Sequence, residues 1–312
     1  MLRGYDARRR RDQISLYDGA STWNTRTFSE ISLALGTLTD ATMYDVFLYD
    51  NAGTVTIDTL VAWRNPLFAI TAATNATPIV ITSAAHGLSN GDQVDIAYLA
   101  TNTAGNGVWT VANKTTDTFE LSGSVGNGAT GLGFGGARAT PLVLQDGVYV
   151  KSGATTRLYV GSIYTTSTTT TESSNAKRYV WNYYNRVSGQ LFKTDTTSHT
   201  YATASYRIWR NQADNKVDWI VGVSDEFPRF TLTAEVAAGT AAASSFILQQ
   251  LDDGVDSIAG VFGVVTTRAN TREVSKVYPV HAGKHKVAAL QNPSTSTNDT
   301  WAWMILSAPH RY

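Results

Sequence analysis

Alternation of apolar and polar side chains, in short segments spaced about ten residues apart, dominates most of this sequence. In TVTIDTLVAW (54–63), Val55, Ile57 and Val61 share one face, as side chains do on a strand. No segment keeps a helical period over three turns, and the nearest, TFSEISLALGTL (27–38), is short. We therefore predict an all-β chain whose main domain is an antiparallel β-sandwich of jelly-roll type.

Further strand segments follow the same pattern along the chain. They are TMYDVFLYD (42–50), GVYVKSGATTRLYVGSIYTT (147–166), KRYVWNYYNRV (177–187), KVDWIVGV (216–223), PRFTLTAEV (228–236), SSFILQQL (244–251), SIAGVFGVVTTR (257–268), VSKVYPVHAGKHKVAALQ (274–291) and TWAWMILSA (300–308). Segment 177–187 carries large side chains on both faces, so we expect it to be buried on both.

A change of composition indicates an inserted domain. Residues 68–137 are rich in Ala, Thr, Asn and Gly, unlike the segments on either side. An insertion at a loop tip costs little where its two ends meet. We predict a small β-barrel at 68–137, inserted into a main sandwich made of 14–67 and 138–312, and a basic N-terminal arm at 1–13.

The segment HGLSNGDQVDI (86–96) has two interpretations, an active or metal site and a tight corner. Asn90-Gly91 is a strong turn signal, Asp92 can accept a backbone N–H there, and His86 can cap the preceding strand through its ring. One histidine and one aspartate without a third ligand fall short of a catalytic or metal group. We interpret the segment as a corner of the small barrel.

The insert resembles a known module. AAHGLSNGDQVDI, then NGVWTVANKTTDTFELSG and a glycine-rich tail, resemble the small β-barrel repeat inserted in many tailed-phage virion proteins. The same pattern resembles the first catalytic-cysteine half-domain of ubiquitin-activating enzymes. This chain has no cysteine, so nothing of that activating chemistry carries over.

The larger frame resembles a family of uncharacterised phage and prophage virion proteins. The segments that carry this resemblance are LYDGASTW (16–23), YDVFLYDNAGTVTIDTLVAW (44–63), LQDGVYVKSGATTRLYVGSIYTT (144–166) and AKRYVWNYYNRV (176–187). With the insert set aside, the resemblance covers residues 14–312. It implies a structural protein of a tail, a baseplate or a head fibre.

Composition narrows the classes of function. Lys plus Arg and Asp plus Glu both total 25, so no net field attracts nucleic acid or an anionic membrane. The absence of cysteine excludes disulfides, cysteine–zinc sites and thiol nucleophiles. We find no signal peptide at the start and no apolar stretch long enough for a bilayer, so we expect synthesis in the host cytoplasm, no membrane insertion and no nucleic-acid partner.

Few residues suggest chemistry. VHAGKHK (280–286) places two histidines four apart, but an intervening glycine predicts a hairpin turn rather than a helical zinc pair. LDDGVD (251–256) is either a calcium loop or, as we favour, a solvated turn. A glycosidase would need 225–227 paired with Asp218 or Glu235 across a cleft, which sequence cannot establish. We predict no enzyme, no cofactor and no metal.

Two groups of residues are candidates for binding. The arginines Arg8, Arg9, Arg10 and Arg11 form either an assembly arm that docks on a neighbour or a solvated arm. The aromatic residues Trp181, Tyr183, Tyr184, Trp209 and Trp219 line a core or a subunit interface, with a sugar-binding platform as the alternative.

These observations favour a non-enzymatic structural component of a phage virion, in a tail, baseplate, fibre, spike or head decoration. We expect a homo-oligomer, with a trimer preferred, that contacts other virion proteins and a host surface glycan. The alternative is a carbohydrate-binding or carbohydrate-degrading virion protein, which requires exposed tryptophans in one groove.

Overall fold

The chain is built almost entirely of strands. A computed structural model describes residues 12–129, 131–184, 186, 188–224, 228–237, 244–250, 258–265, 270–277, 280–292 and 299–311. Strands make up 56% of the structure and helix 2%, which confirms the predicted all-β class. Within these residues no helix is long and apolar enough to cross a membrane.

The strands of the N-terminal half form a hairpin and one large sheet. They are β1 (Gln13–Tyr17), β2 (Trp23–Thr27), β3 (Met43–Asn51), β4 (Thr54–Ile57), β5 (Val61–Ile70), β6 (Ala72–Ala73), β7 (Val80–Thr82), β8 (Gln93–Ala97), β9 (Gly107–Ala112), β10 (Thr118–Leu121), β11 (Gly133–Arg138), β12 (Leu142–Gln145), β13 (Val148–Lys151) and β14 (Ala154–Tyr164). The sheet runs β12-β13-β14-β3-β5-β11-β8-β9-β10-β7-β6, and a single 3-10 turn at Thr103–Gly105 precedes β9.

The C-terminal half adds two further sheets. Its strands are β15 (Lys177–Arg178), β16 (Val180–Asn182), β17 (Ser188–Asp195), β18 (His199–Tyr201), β19 (Arg207–Ile208), β20 (Lys216–Val221), β21 (Arg229–Ala237), β22 (Ser244–Gln250), β23 (Ile258–Val265), β24 (Asn270–Val277), β25 (Gly283–Asn292) and β26 (Asp299–Arg311), with a 3-10 turn at Trp209–Asn211. One sheet has the order β15-β20-β25-β22-β23 and the other β17-β26-β21-β24, while β16 pairs with β14 of the large sheet.

The two C-terminal sheets pack face to face as a sandwich. On β20, Val217, Trp219 and Val221 turn inward, and they meet Phe230 and Leu232 of β21 in one buried cluster. Alternate residues fill such a core because successive side chains on a strand point to opposite faces. This region confirms the predicted antiparallel sandwich.

The insert is continuous with the large sheet. β5 carries the chain into it and β11 carries the chain out, and the two strands pair from Ile70↔Gly133 back to Trp63↔Arg138. β11 then pairs with β8, so the frame and the insert share one continuous hydrogen-bonded ladder. The domain boundaries at 67–68 and 137–138 stay a prediction.

The insert has its own core but forms no closed barrel in the described residues. Its strand path starts at β5 and ends at β6, which follows β5 after Thr71 alone. The two ends of the path are therefore consecutive pieces of one segment, joined to β7 through the Thr71 N–H donating to the Thr82 carbonyl at 2.9 Å. The sheet of the insert therefore curls until its two ends meet, as in the predicted small barrel, although no closed barrel is found in the described residues.

The corner before β8 has the predicted turn chemistry. The Ser89 N–H donates to Asp92 Oδ2 at 2.7 Å, and the Leu88 N–H donates to His86 Nδ1 at 3.0 Å. Gly91 has a φ of +89°, a conformation that glycine adopts without strain. The interpretation of His86 and Asp92 as turn residues is confirmed.

The segment that contains β16 is buried on one face only. Tyr179 and Trp181 are buried, whereas Val180 and Asn182 are exposed. The prediction of burial on both faces was wrong: β16 pairs beside β14, and only the face that carries Trp181 packs into the core.

One buried ion pair connects the sheets. Arg138 Nε donates to Asp45 Oδ2 at 2.8 Å, and both side chains are at least nine-tenths buried. Asp45 Oδ1 also accepts from the Trp63 indole at 2.9 Å and from the Ser162 hydroxyl at 2.8 Å. Arg138 Nη2 donates to the carbonyl of Gly222, which directly follows β20. The pair thus joins β3 of the large sheet, the strand β11 that leaves the insert, and the C-terminal sandwich.

Arg138→Met should destabilise the fold by about 3–5 kcal/mol, because it leaves the Asp45 carboxylate buried without its cation. The double variant Asp45→Asn/Arg138→Met should recover much of that loss, since no buried charge remains. Lys177→Ala, which breaks an exposed pair with Glu172, should cost at most about 1 kcal/mol. Urea unfolding of the three variants measures this order, and equal losses for Arg138→Met and Lys177→Ala would contradict it.

Candidate functional site

A groove of about 380 Å³ lies where the large sheet, the insert and the sandwich meet. Gln93, Asp95 and Val108 line it from the insert, and Ser224 lines it from the segment after β20. β12 and Tyr149 of β13 form the opposite wall. The groove exists only in the folded chain, since its walls are far apart in sequence.

The floor of the groove is polar but carries no unpaired charge. Asp95 Oδ2 accepts from the Ser224 hydroxyl at 2.6 Å and from the Ala282 N–H at 2.7 Å. Burial raises the pKa of Asp95, which favours its neutral form. Arg138, the other ionisable group at the floor, is paired with Asp45. An uncharged occupant therefore suits this groove.

Gln93 closes one end of the β12 wall. Its amide Nε2 donates to the Leu142 carbonyl at 3.1 Å, and its Oε1 accepts from the Leu142 N–H at 3.1 Å. The carboxamide takes the place that a peptide group of a neighbouring strand would take. Among the described strands, β12 pairs only with β13, so the rest of this edge is open.

The rim of the groove is apolar and exposed. Val108 is 58% exposed, Val143 37% and Leu144 61%. All three line the same groove. Exposed apolar residues that cluster beside a groove mark interaction sites, whereas single ones need no explanation. We call Val108, Val143 and Leu144 the apolar rim.

The predicted aromatic residues divide between the core and this surface. Trp209 and Trp219 lie in the core of the sandwich, and Trp181 is buried between β14 and the sandwich. Tyr183 is half-buried with its ring centre 5.6 Å from that of Tyr149, and Tyr184 is exposed. The structure thus places Tyr183 against Tyr149 of the groove wall and separates both tyrosines from Trp209 and Trp219.

The histidine and carboxylate candidates are parts of the core or engaged in hydrogen bonds. His281 and His285 are fully buried with ring centres 4.5 Å apart, and His285 stacks on Trp219. Asp218 accepts from the Tyr179 hydroxyl at 3.0 Å, and Glu235 accepts from the Trp303 indole at 2.8 Å on a different sheet. The described residues contain no group of three that could hold a metal.

Several predicted sites lie outside the described residues. They are the arginine arm Arg8, Arg9, Arg10 and Arg11, the DEF stretch 225–227 and the loop 251–256.

Sequence reasoning missed the groove itself. The only local signal is that LVLQ, the sequence of β12, holds three large aliphatic residues and no charge. Gln93 and Val108 carry no such signal, because their role depends on where the insert meets the frame.

Comparison with known proteins assigns no family. No protein family and no curated protein matches the sequence. Similar solved structures include dimeric latent PorU from Porphyromonas gingivalis (8% identity, TM-score 0.29), the infectious bursal disease virus particle (9%, 0.29) and the insecticidal delta-endotoxin Cry8Ea1 from Bacillus thuringiensis (8%, 0.23). The alignments cover 78%, 88% and 90% of this chain and 24%, 67% and 54% of those chains.

The chain therefore spans about a quarter of PorU. The solved structures that it resembles include viral capsid proteins. At such low TM-scores and identities, these similarities carry no argument about function.

Asp95→Asn tests the buried carboxyl. Because burial raises the pKa of Asp95 in the fold, its protonated form contributes stability below the unfolded value of about 3.9, and this contribution is lost as the pH rises through the folded value. The asparagine variant does not titrate, so its stability relative to the wild type should increase as the pH rises from about 3.9 to the folded pKa of Asp95. Above that pKa the difference should stay constant. Thermal unfolding of both chains over about pH 3–8 measures the difference.

Asp146→Asn is the matched control. Its hydrogen bond from the Trp23 indole lowers the pKa of Asp146, so this variant should lose stability relative to the wild type as the pH rises towards the unfolded value of about 3.9, and the difference should stay constant above it. A difference between Asp95→Asn and the wild type that does not change with pH would contradict the assignment.

Proposed function

We propose that this chain is a non-enzymatic structural component of a tailed-phage virion, which acts by assembling with further copies of itself and with other virion proteins. Its place would be a tail, a baseplate, a fibre or spike, or a head decoration layer, after synthesis in the host cytoplasm. The proposal rests on the all-β fold, on the sequence resemblances of frame and insert to phage virion proteins, and on the groove.

The apolar rim is the observation that carries the proposal. Val108, Val143 and Leu144 expose aliphatic surface beside a floor without unpaired charge, and burial of such surface by another protein is favourable. Two copies of a chain with zero net charge also meet without long-range repulsion. Assembly through this surface needs no catalytic group.

Sugar binding is less well supported. Trp181, Trp209 and Trp219 are buried, so in the described part of the chain they offer no exposed platform for a sugar ring. The rim is aliphatic, and aliphatic side chains favour protein contacts over the ring stacking that sugars use. The host surface glycan expected from sequence stays a prediction without a site.

Light scattering of the purified protein tests the proposed assembly. We expect a mass that is a multiple of 33.7 kDa at micromolar concentration, because the rim is covered by another copy. The share of oligomer should rise with protein concentration by mass action. A mass of 33.7 kDa at every concentration would contradict self-assembly.

A further inference from the structure

We infer that the open edge of β12 is a strand-pairing site for β12 of a second copy, so that two chains join their large sheets across a two-fold axis. This inference rests on the proposed self-assembly and names the surface that carries it. The ligand is an extended, uncharged strand, recognised by its backbone and by apolar contact with Val143 and Leu144.

The backbone of β12 is oriented for pairing. Both the N–H and the carbonyl of Leu142 point away from β13, because both are bonded to the Gln93 carboxamide. Along an antiparallel strand, the backbone N–H and carbonyl of successive residues point alternately towards the two sides of the strand. The N–H and carbonyl of Leu144, two residues after Leu142, therefore also face the open edge. The Gln93 contact shows that a planar amide fits beside this strand, and the position at Leu144 is the next one along.

The side chains of β12 lack the usual protection against pairing. Edge strands are commonly guarded by lysine, other charges or proline, which block addition of another strand. Leu142–Gln145 holds none of these, and its two central side chains are exposed. By contrast β24, at the edge of the sandwich, holds the exposed Glu273. β12 is therefore an edge that another strand can cover.

A second β12 is a suitable occupant because the strand is complementary to itself. Antiparallel pairing about a two-fold axis at Leu144 places Leu144 opposite its own copy and Val143 opposite Gln145. No charged side chain of β12 meets another in this register, and the chain as a whole has zero net charge. Because the outward groups of Leu142 are already bonded to Gln93, the ladder consists of the Leu144 pair, which extends the sheet order β12-β13-β14-β3 into the partner.

Cross-linking tests this register sharply, since the natural chain has no cysteine. In a hydrogen-bonded antiparallel pair, opposite Cα atoms are about 5.5 Å apart, within the range of about 4.4–6.8 Å that a disulfide spans. Leu144→Cys should therefore give mostly covalent dimer on mild oxidation, read on a non-reducing gel. Val143→Cys, which faces Gln145 of the other copy, should give much less.

Val125→Cys is the matched control, because Val125 is 63% exposed and does not line the groove. It should remain monomeric on the gel under the same oxidation. Equal cross-linking at Leu144, Val143 and Val125 would mean random collision and would overturn the inference.

Charge exchange at the same position gives a test in solution. Leu144→Lys and Leu144→Glu each place like charges opposite each other, so each alone should have a monomer mass by light scattering. An equimolar mixture should return to the dimer mass, because lysine then faces glutamate. Circular dichroism of each variant should match that of the wild type, as expected of changes at an exposed side chain.

The outcomes separate the inference from the proposed function. A wild-type dimer that the single charges dissociate and the mixture restores supports both. A wild-type trimer or larger oligomer that is indifferent to both charges overturns pairing through β12 and leaves self-assembly standing. A wild-type monomer at every concentration overturns the proposed self-assembly together with the inference.

Discussion

The buried pair of Asp45 and Arg138 is the interaction on which the arrangement of the three parts depends. Each ion alone would be expensive to bury, and the pair is tolerated because both carboxylate oxygens of Asp45 and two nitrogens of Arg138 have hydrogen-bond partners. Asp45 accepts from Arg138, Trp63 and Ser162, and Arg138 reaches the Gly222 carbonyl. Its partners come from β5, β14 and the segment after β20, so the network fixes how those elements meet.

The groove lies where these elements come together. β11 ends at Arg138, and β12 begins four residues later at the edge of the large sheet. The segment that follows the ion pair in sequence therefore forms a wall of the groove. On the opposite side Asp95 holds the Ser224 hydroxyl and the Ala282 N–H, which fastens the insert to the sandwich. Polar groups at the floor are satisfied within the chain, and what remains for a partner is the apolar rim and the backbone edge of β12.

The aromatic residues show how burial separates core from surface in this chain. Trp209 and Trp219 fill the space between the two C-terminal sheets, where large rings bury the most area. Tyr183 and Tyr184 follow β16, which pairs with β14 of the large sheet: Tyr183 packs half-buried against Tyr149, and Tyr184 is exposed. Sequence alone could treat these residues only as one group, because a strand pattern shows which residues share a face and not what covers that face.

The sequence by itself determined what depends on neighbouring residues. Alternation predicted the strand class, and the turn residues His86, Asn90, Gly91 and Asp92 predicted the corner before β8, since turn geometry is set within a few residues. Tertiary structure decided the rest: that the insert is a curled sheet sharing a ladder with the frame, that Trp181 is buried while Val180 is exposed, and that β12 has an open edge. Sheet order and the covering of a face depend on pairings between distant segments, and no local pattern encodes which strand remains unpaired.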